Sequence, residues 1–266
     1  MKLLKKPTLS SFPASISISL LLLVFLPSKT SSDPQTNLLT KDCNLHDAPD
    51  SPSIRLLASN LNATLADLRS RLNSSHFVTA NRPGIYALFY CRDYLSTTDC
   101  LSCFSSAASE MQRNCSSASS SRVIYDGCFL RYEGDPFFDQ GTMSGNMGFC
   151  GNRTAEDDAA GFNQTAEMLL RDLCAAAPRT GGLYVAAKRD VVAGGAAMYG
   201  VAQCALTVSE SGCGKCLQVA YGNIESCPPS ADGRAVDAGC FLRYSDGAFF
   251  RDDEAMDLEA LLKSRG

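Results

Sequence analysis

The sequence has little histidine and none of the common catalytic motifs. Among its 266 residues only His46 and His76 are histidines. A nucleophilic cysteine needs a neighbouring base, most often histidine. The chain also lacks H-E-x-x-H, G-x-S-x-G and a glycine-rich phosphate loop. These absences argue against an enzyme, and we expect neither catalytic residues nor a cofactor.

Long hydrophobic runs are missing except at the N-terminus. The run ISISLLLLVFL (16–26) follows Lys2, Lys5 and Lys6 and precedes small polar residues, a pattern typical of a signal peptide, which we assign to residues 1–32. It is shorter than the roughly 20 residues of a membrane helix. We therefore expect a secreted mature chain without a stable membrane span.

Basic charge is also scarce. The formal net charge is −4, and removal of residues 1–32, with four lysines and no acid, takes it to −8. A negative surface repels phosphate backbones and anionic lipid, so nucleic acid is not an expected partner.

The main positive feature is an internal repeat. The hexapeptide GCFLRY occurs at 127–132 and at 239–244. The preceding cysteines recur with it: Cys91, Cys100 and Cys103 as Cys204, Cys213 and Cys216, 113 residues later, and Cys115 and Cys128 as Cys227 and Cys240, 112 later. One module is used twice. We predict domains at 33–140 and 141–250, with a C-terminal tail at 251–266.

Thirteen cysteines in an exported chain predict disulfides. A zinc site is the alternative interpretation, because CLSC (100–103) and CGKC (213–216) are C-x2-C pairs. Each pair stands alone in its repeat, whereas a zinc ribbon needs two, so we expect no metal site. Cys174 has no counterpart in the first repeat and is the unpaired cysteine. It is either a buried, inert thiol or a link in a homodimer.

Five N-x-S/T sequons also fit an exported glycoprotein. They lie at Asn62, Asn73, Asn114, Asn152 and Asn163.

Periodicity predicts an α+β fold. Leucines at 57, 61, 65, 68 and 72 form one stripe of a helix, and a second helix follows the Ser/Thr/Asp cluster at 96–99. The runs IYALFYC and RVIYDGCFLRYE are rich in aromatic and branched residues, which predicts strands. The serine-rich stretch 116–122 is predicted to be a loop. Each of the two tandem modules should therefore have two helices packed on an antiparallel sheet and stapled by disulfides, with GCFLRY as a central strand.

The cysteine spacing C-x8-C-x2-C, followed by C-x11-C-x12-C in repeat one and C-x10-C-x12-C in repeat two, resembles the plant stress-antifungal or ginkbilobin-like domain, also known as domain of unknown function 26. The tandem arrangement is similar to that of cysteine-rich repeat secretory proteins and of the extracellular part of plasmodesmata-located proteins. The resemblance implies the disulfides Cys43–Cys115, Cys91–Cys100, Cys103–Cys128, Cys150–Cys227, Cys204–Cys213 and Cys216–Cys240.

The same resemblance implies a mannose site in the first repeat. Its residues would be Asn44 after the first cysteine, Arg122 before the last and Glu133 after it. An amide, a planar guanidinium and a carboxylate together match the adjacent hydroxyls of a hexose. Repeat two has Gly151, Arg234 and Ser245 at the matching positions and should lack the site. A surface ion pair between Arg122 and Glu133, with Asn44 as a turn residue, is the structural alternative.

Two functions remain open. The first is a secreted defence protein of the apoplast that binds mannose-containing glycans or fungal wall mannan. The second is a non-enzymatic protein-interaction module at plasmodesmata or the cell surface, with a role in cell-to-cell transport or signalling. We also hypothesise that the two repeats bury an interface against each other.

Overall fold

A computed structural model of the chain describes residues 35–44, 51–115, 118–155, 159–191 and 197–263. The predicted signal peptide, residues 1–32, lies outside the described residues.

The first repeat forms a five-stranded antiparallel sheet in the order β1-β4-β5-β3-β2. Its elements are β1 (Leu38–Asn44), α1 (Ser51–Arg71), β2 (Phe77–Arg82), β3 (Ile85–Cys91), α2 (Thr97–Asn114), β4 (Ser120–Tyr125) and β5 (Cys128–Glu133). The first GCFLRY copy supplies the central strand β5, as predicted.

The second repeat has the same order, β6-β9-β10-β8-β7. Its elements are β6 (Met147–Cys150), α3 (Ala159–Ala176), β7 (Tyr184–Asp190), β8 (Ala197–Cys204), α4 (Glu210–Ile224), β9 (Asp232–Val236) and β10 (Cys240–Ser245). The predicted α+β class and the tandem modules, each with two helices on an antiparallel sheet, are confirmed.

The helices form where the sequence pattern predicts them. In α1, Leu61, Leu65 and Leu68 are buried, as is Leu72 directly after the helix, and each buried leucine contributes about 1.5–3 kcal/mol. Helix α2 begins after Ser96, whose hydroxyl accepts a hydrogen bond from the Asp99 amide at 3.1 Å. In repeat two, Ser209 caps α4 in the same way through the Gly212 amide.

Three disulfides staple each repeat. They are Cys43–Cys115, Cys91–Cys100 and Cys103–Cys128 in the first and Cys150–Cys227, Cys204–Cys213 and Cys216–Cys240 in the second. In the first repeat they join α2 to β1, β3 and β5. The staples therefore fix the second helix of each repeat on its sheet.

Arg92 is a buried cation at the contact between the repeats. It is fully buried and its guanidinium lies 3.6 Å from the ring centre of Phe241 in the second repeat. Its Nε donates to the Asp126 carbonyl at 3.0 Å. Burial lowers the pKa of Arg92. A desolvated cation over an aromatic ring is a strong form of this interaction.

Further polar contacts cross the same boundary. Gln203 of the second repeat donates from Nε2 to the Cys91 carbonyl at 3.0 Å. Asp126 pairs with Arg234, and both side chains are largely buried. Near the N-terminus, Gln35 accepts from Arg243 at 3.0 Å and donates to the Phe249 carbonyl. The two repeats therefore contact each other, as hypothesised from the sequence.

The last described residues also pack on the second repeat. A short 3-10 helix (Asp252–Glu254) and α5 (Leu258–Lys263) follow β10. Leu258 is buried, and the Met256 amide donates to the Ala186 carbonyl at 2.8 Å. The stretch that we predicted as a tail thus contains a helix in contact with its neighbour.

Candidate functional site

Strand register brings the three predicted sugar-binding residues into neighbouring strands of the first sheet. The Asn44 backbone pairs with Ser120, two residues before Arg122. Arg122 lies opposite Asp42 on one side and Arg131 on the other. Since side chains alternate along a strand, Arg122, Arg131 and Glu133 share one face of the sheet.

Arg122 is a buried cation with few partners. Only 5% of the residue is exposed. Its Nη2 donates to the Gly145 carbonyl at 3.3 Å, whereas its Nε and Nη1 are buried without a hydrogen-bond partner. Burial lowers the pKa of Arg122, and the nearby Asp42 opposes that shift. Gly145 belongs to the linker, residues 134–146, which connects β5 to β6 and covers this guanidinium.

Glu133 is bound to a different arginine. Its Oε1 accepts from Arg131 Nε at 2.8 Å, and 26% of its side chain is exposed. Arg131 is itself buried and lies 4.2 Å from the ring centre of Phe137. The structure therefore contains an ion pair of Glu133 with Arg131. Arg131 is the arginine of the repeated hexapeptide GCFLRY, and this repetition was the sequence signal that could have identified Arg131 as a site residue.

In the second repeat, the arginines that match Arg122 and Arg131 contact other side chains of the protein. Arg234 pairs with Asp232 at 2.7 Å and with Asp126 of the first repeat. Arg243, the counterpart of Arg131, lies 4.0 Å from the ring centre of Phe249. The arginine that corresponds to Arg122 is thus committed to the contact between the repeats.

A separate cleft of about 310 Å³ lies between α3 and α4. It is lined by Asn163, Glu167, Leu170, Arg171, Tyr221, Glu225, Ser226 and Pro228. The cleft contains none of the predicted sugar-binding residues. Its chemistry is that of a solvated helix surface, because Glu167 and Arg171 form an exposed i,i+4 ion pair.

Cys174 is the free cysteine of the described residues. Its Sγ lies 3.6 Å from the Leu217 carbonyl. Burial raises its pKa to about 12. A thiol with so high a pKa forms little thiolate near neutral pH and is a poor nucleophile.

The five sequon asparagines, Asn62, Asn73, Asn114, Asn152 and Asn163, are all exposed. Their glycosylation stays a prediction. Among the described residues, no cluster of three or more histidine, cysteine or acidic side chains is placed to hold a metal ion. Within the same residues, no helix has both the length and the apolar character of a membrane span.

These observations define a tandem pair of disulfide-stapled α+β modules. The sequence profile of the salt stress response/antifungal family matches residues 42–135 and 149–247. The chain belongs to this family. Six disulfides and this family are those of an exported, extracellular protein.

Among curated relatives, Arabidopsis thaliana cysteine-rich receptor-like protein kinase 42 is 36% identical over 190 residues, 70% of this chain. The chain spans 27% of that kinase's length and 30% of cysteine-rich receptor-like protein kinase 2. Arabidopsis thaliana cysteine-rich repeat secretory protein 55 is 28% identical over 204 residues, covering 73% of this chain and 77% of the relative.

A solved structure has the same fold. It is the tandem DUF26 ectodomain of the Arabidopsis thaliana cysteine-rich receptor-like protein PDLP5, with a TM-score of 0.63 and 24% identity. The match covers 79% of this chain and all of that one. At this identity the likeness bears on the fold alone.

Proposed function

We propose that the protein is a secreted, non-catalytic defence lectin of the apoplast. Its first repeat binds mannose-containing glycans, such as fungal wall mannan, through Asn44, Arg122 and Glu133. The observation that carries the proposal is the Arg122 guanidinium, which has two buried donor nitrogens, Nε and Nη1, without partners beside the end of β5 that bears Glu133. Unpaired buried donors are costly, and sugar hydroxyls would satisfy them.

Binding has two structural requirements. A ligand oxygen must replace the Gly145 carbonyl or reach Nε and Nη1 beside it, because Arg122 is covered by the linker. Glu133 must bind the sugar through its second oxygen while Oε1 keeps Arg131. A few such hydrogen bonds give a dissociation constant of about 1 mM, or about −4 kcal/mol. A polymeric mannan would raise the apparent affinity through multivalency.

The test is a ligand-observed NMR titration of the disulfide-intact mature chain with mannose and mannan. Wild type should bind saturably, and the Asn44→Ala/Glu133→Ala double variant should lose binding at least tenfold. Asp135→Ala is the matched control, since it removes a nearby exposed carboxylate outside the proposed site. Equal binding by the double variant would refute the assignment of the site to the first repeat.

The second candidate function is a protein-interaction module, and the contact between the repeats favours it. Arg92 and the Asp126–Arg234 pair hold the two modules against each other, so that a partner could contact both repeats at once. One relative, 25% identical over 237 residues, is Arabidopsis thaliana plasmodesmata-located protein 5. Absence of sugar binding by a well-folded wild type would favour this function, in cell-to-cell transport or signalling.

A further inference from the structure

The boundary between the repeats contains polar atoms of opposite character that lack partners. Arg122 of the first repeat has two donor nitrogens without a partner, Nε and Nη1. Asp237 of the second repeat is fully buried and has a free acceptor, Oδ2. Buried polar atoms are nearly always hydrogen-bonded in folded proteins, so each of these has an unmet requirement.

Both side chains are covered by the same short stretch of the linker. The Met143 amide donates to Asp237 Oδ1 at 2.9 Å, and two residues later the Gly145 carbonyl accepts from Arg122 Nη2. Gly145 has φ +81°, a backbone conformation that favours glycine. The side chains of Arg122 and Asp237 therefore approach the linker from opposite repeats, and both contact the same short segment of it.

The two groups also act on each other electrostatically. The charge of Arg122 favours the ionised carboxylate of Asp237, although burial dominates and raises the Asp237 pKa. Arg122 is influenced in turn by Asp42, Arg131, Asp237 and Glu133. With three carboxylates against two guanidinium groups, this environment disfavours an anionic ligand and suits a neutral one.

A comparison within the chain indicates what is missing. Arg122 and Arg234 are equivalent residues of the two repeats, whereas Asp126 aligns with Ala238 and Asp237 aligns with Tyr125. Asp126 reaches Arg234 of the opposite repeat and forms an ion pair with it. Asp237 makes no such bond to Arg122. The arginine of the second repeat is thus bonded across the boundary, whereas Arg122 keeps unmet donors on the side where Asp237 has an unmet acceptor.

We propose that Arg122 and Asp237 form a composite site, shared by both repeats, that binds a hydroxyl group of a neutral saccharide. The hydroxyl oxygen accepts from the Arg122 guanidinium, and the hydroxyl hydrogen is donated to Asp237 Oδ2. The inference rests on the proposed function and extends it, because it adds a specificity residue from the repeat that lacks the sugar-binding set. It also gives the second repeat a role in binding.

The experiment compares wild type with Asp237→Asn in mannose titrations of the full disulfide-intact chain. Asparagine retains the Oδ1 acceptor for the Met143 and Ala238 amides but replaces Oδ2 by a donor. We expect at least a tenfold loss of mannose affinity. Asp126→Asn makes the same change at the other end of the boundary and should bind as wild type. Amide NMR spectra confirm that both variants are folded.

The outcomes separate this inference from the proposed function. Wild-type binding that is unchanged in Asp237→Asn would overturn the composite site while leaving the lectin intact. If wild type binds no mannose, the lectin proposal fails, and the carboxyl 13C titration of Asp237 decides the composite site. An upward shift of the Asp237 pKa in Arg122→Met would support a shared polar pocket for another hydroxyl ligand, and no shift would overturn it.

Discussion

Loss of the Asp126–Arg234 ion pair should destabilise the whole chain, since the pair joins the two repeats. Only 6% of the Asp126 side chain and 15% of the Arg234 side chain are exposed, so solvent screens the pair poorly. Arg234 also holds Asp232 at 2.7 Å, and Asp126 accepts from Asn37 at 3.2 Å. The perturbation is a double-mutant cycle of Arg234→Met and Asp126→Asn.

The magnitude follows from what each variant leaves behind. Removing one partner of a buried pair costs about 3–5 kcal/mol. For Arg234→Met we expect about 3 kcal/mol, because Asn37 still hydrogen-bonds the stranded Asp126 carboxylate. For Asp126→Asn we expect about 1.5 kcal/mol, because Arg234 keeps Asp232. The double variant strands no Asp126 charge and should cost about 3 kcal/mol, which leaves a coupling energy of about 1.5 kcal/mol.

The assay is equilibrium urea unfolding with disulfides intact, followed by circular dichroism and tyrosine fluorescence. Urea is preferred to guanidinium chloride because it does not screen charges. Arg251→Met is the control, since its ion pair with Asp253 is exposed and its loss should leave the free energy of unfolding nearly unchanged. A coupling energy below about 0.5 kcal/mol would refute the view that this pair joins the repeats.

Two further predictions concern single sites. Because burial raises the Cys174 pKa to about 12 from an ordinary 9.0, less thiolate is present at pH 8, and iodoacetamide should label the native chain roughly a thousandfold more slowly than a free cysteine. Urea should expose one reactive thiol, and rapid native labelling would contradict the buried environment. Gly148→Ala should cost about 1–3 kcal/mol or more in urea unfolding, since its Cβ would overlap the Asn223 carbonyl oxygen. Gly134→Ala has open space and is the control, so equal effects would contradict the packing of β6 on α4.

The elements that the sequence predicted are those with strong local signals. The leucine stripe and the cap at Ser96 predicted α1 and α2, and aromatic runs anchored by cysteines predicted β3 and β5. Ser120 and Ser121 were predicted as loop from the serine content of the stretch, but they begin β4. They are strand because β1 and β5 pair with them on both sides, which is a tertiary effect that overrides local propensity.

Edge strands escaped prediction for a related reason. Strand β1 reads LLTKDCN and strand β7 reads YVAAKRD, so neither has the clean alternation of a half-buried strand. Charged residues on edges are a common protection against aggregation. The pairing of β1 with β4 is fixed by partners more than 70 residues away, and no local window contains that information.

The candidate site also has features that local sequence predicted and features that depend on tertiary contacts. Sequence and resemblance located Asn44, Arg122 and Glu133, and strand register brings their strands together. The sequence and the resemblance did not predict that the linker covers Arg122 or that Glu133 binds Arg131. Both features depend on contacts outside the local strand pattern. The repeated hexapeptide held the clue to Arg131, since its arginine is buried in both copies, as Arg131 and Arg243.

The tandem repeat gives a physical reason why the equivalent arginines Arg122 and Arg234 have different partners. When two like modules associate through equivalent surfaces, an arginine of each faces the other module across the boundary. In one direction Asp126 neutralises Arg234, which stabilises the association. In the other, the linker must pass over Arg122 and contributes one carbonyl to it, so donors remain. A connected pair cannot be fully symmetric, and that asymmetry leaves Arg122 with unmet donors while Arg234 has two carboxylate partners.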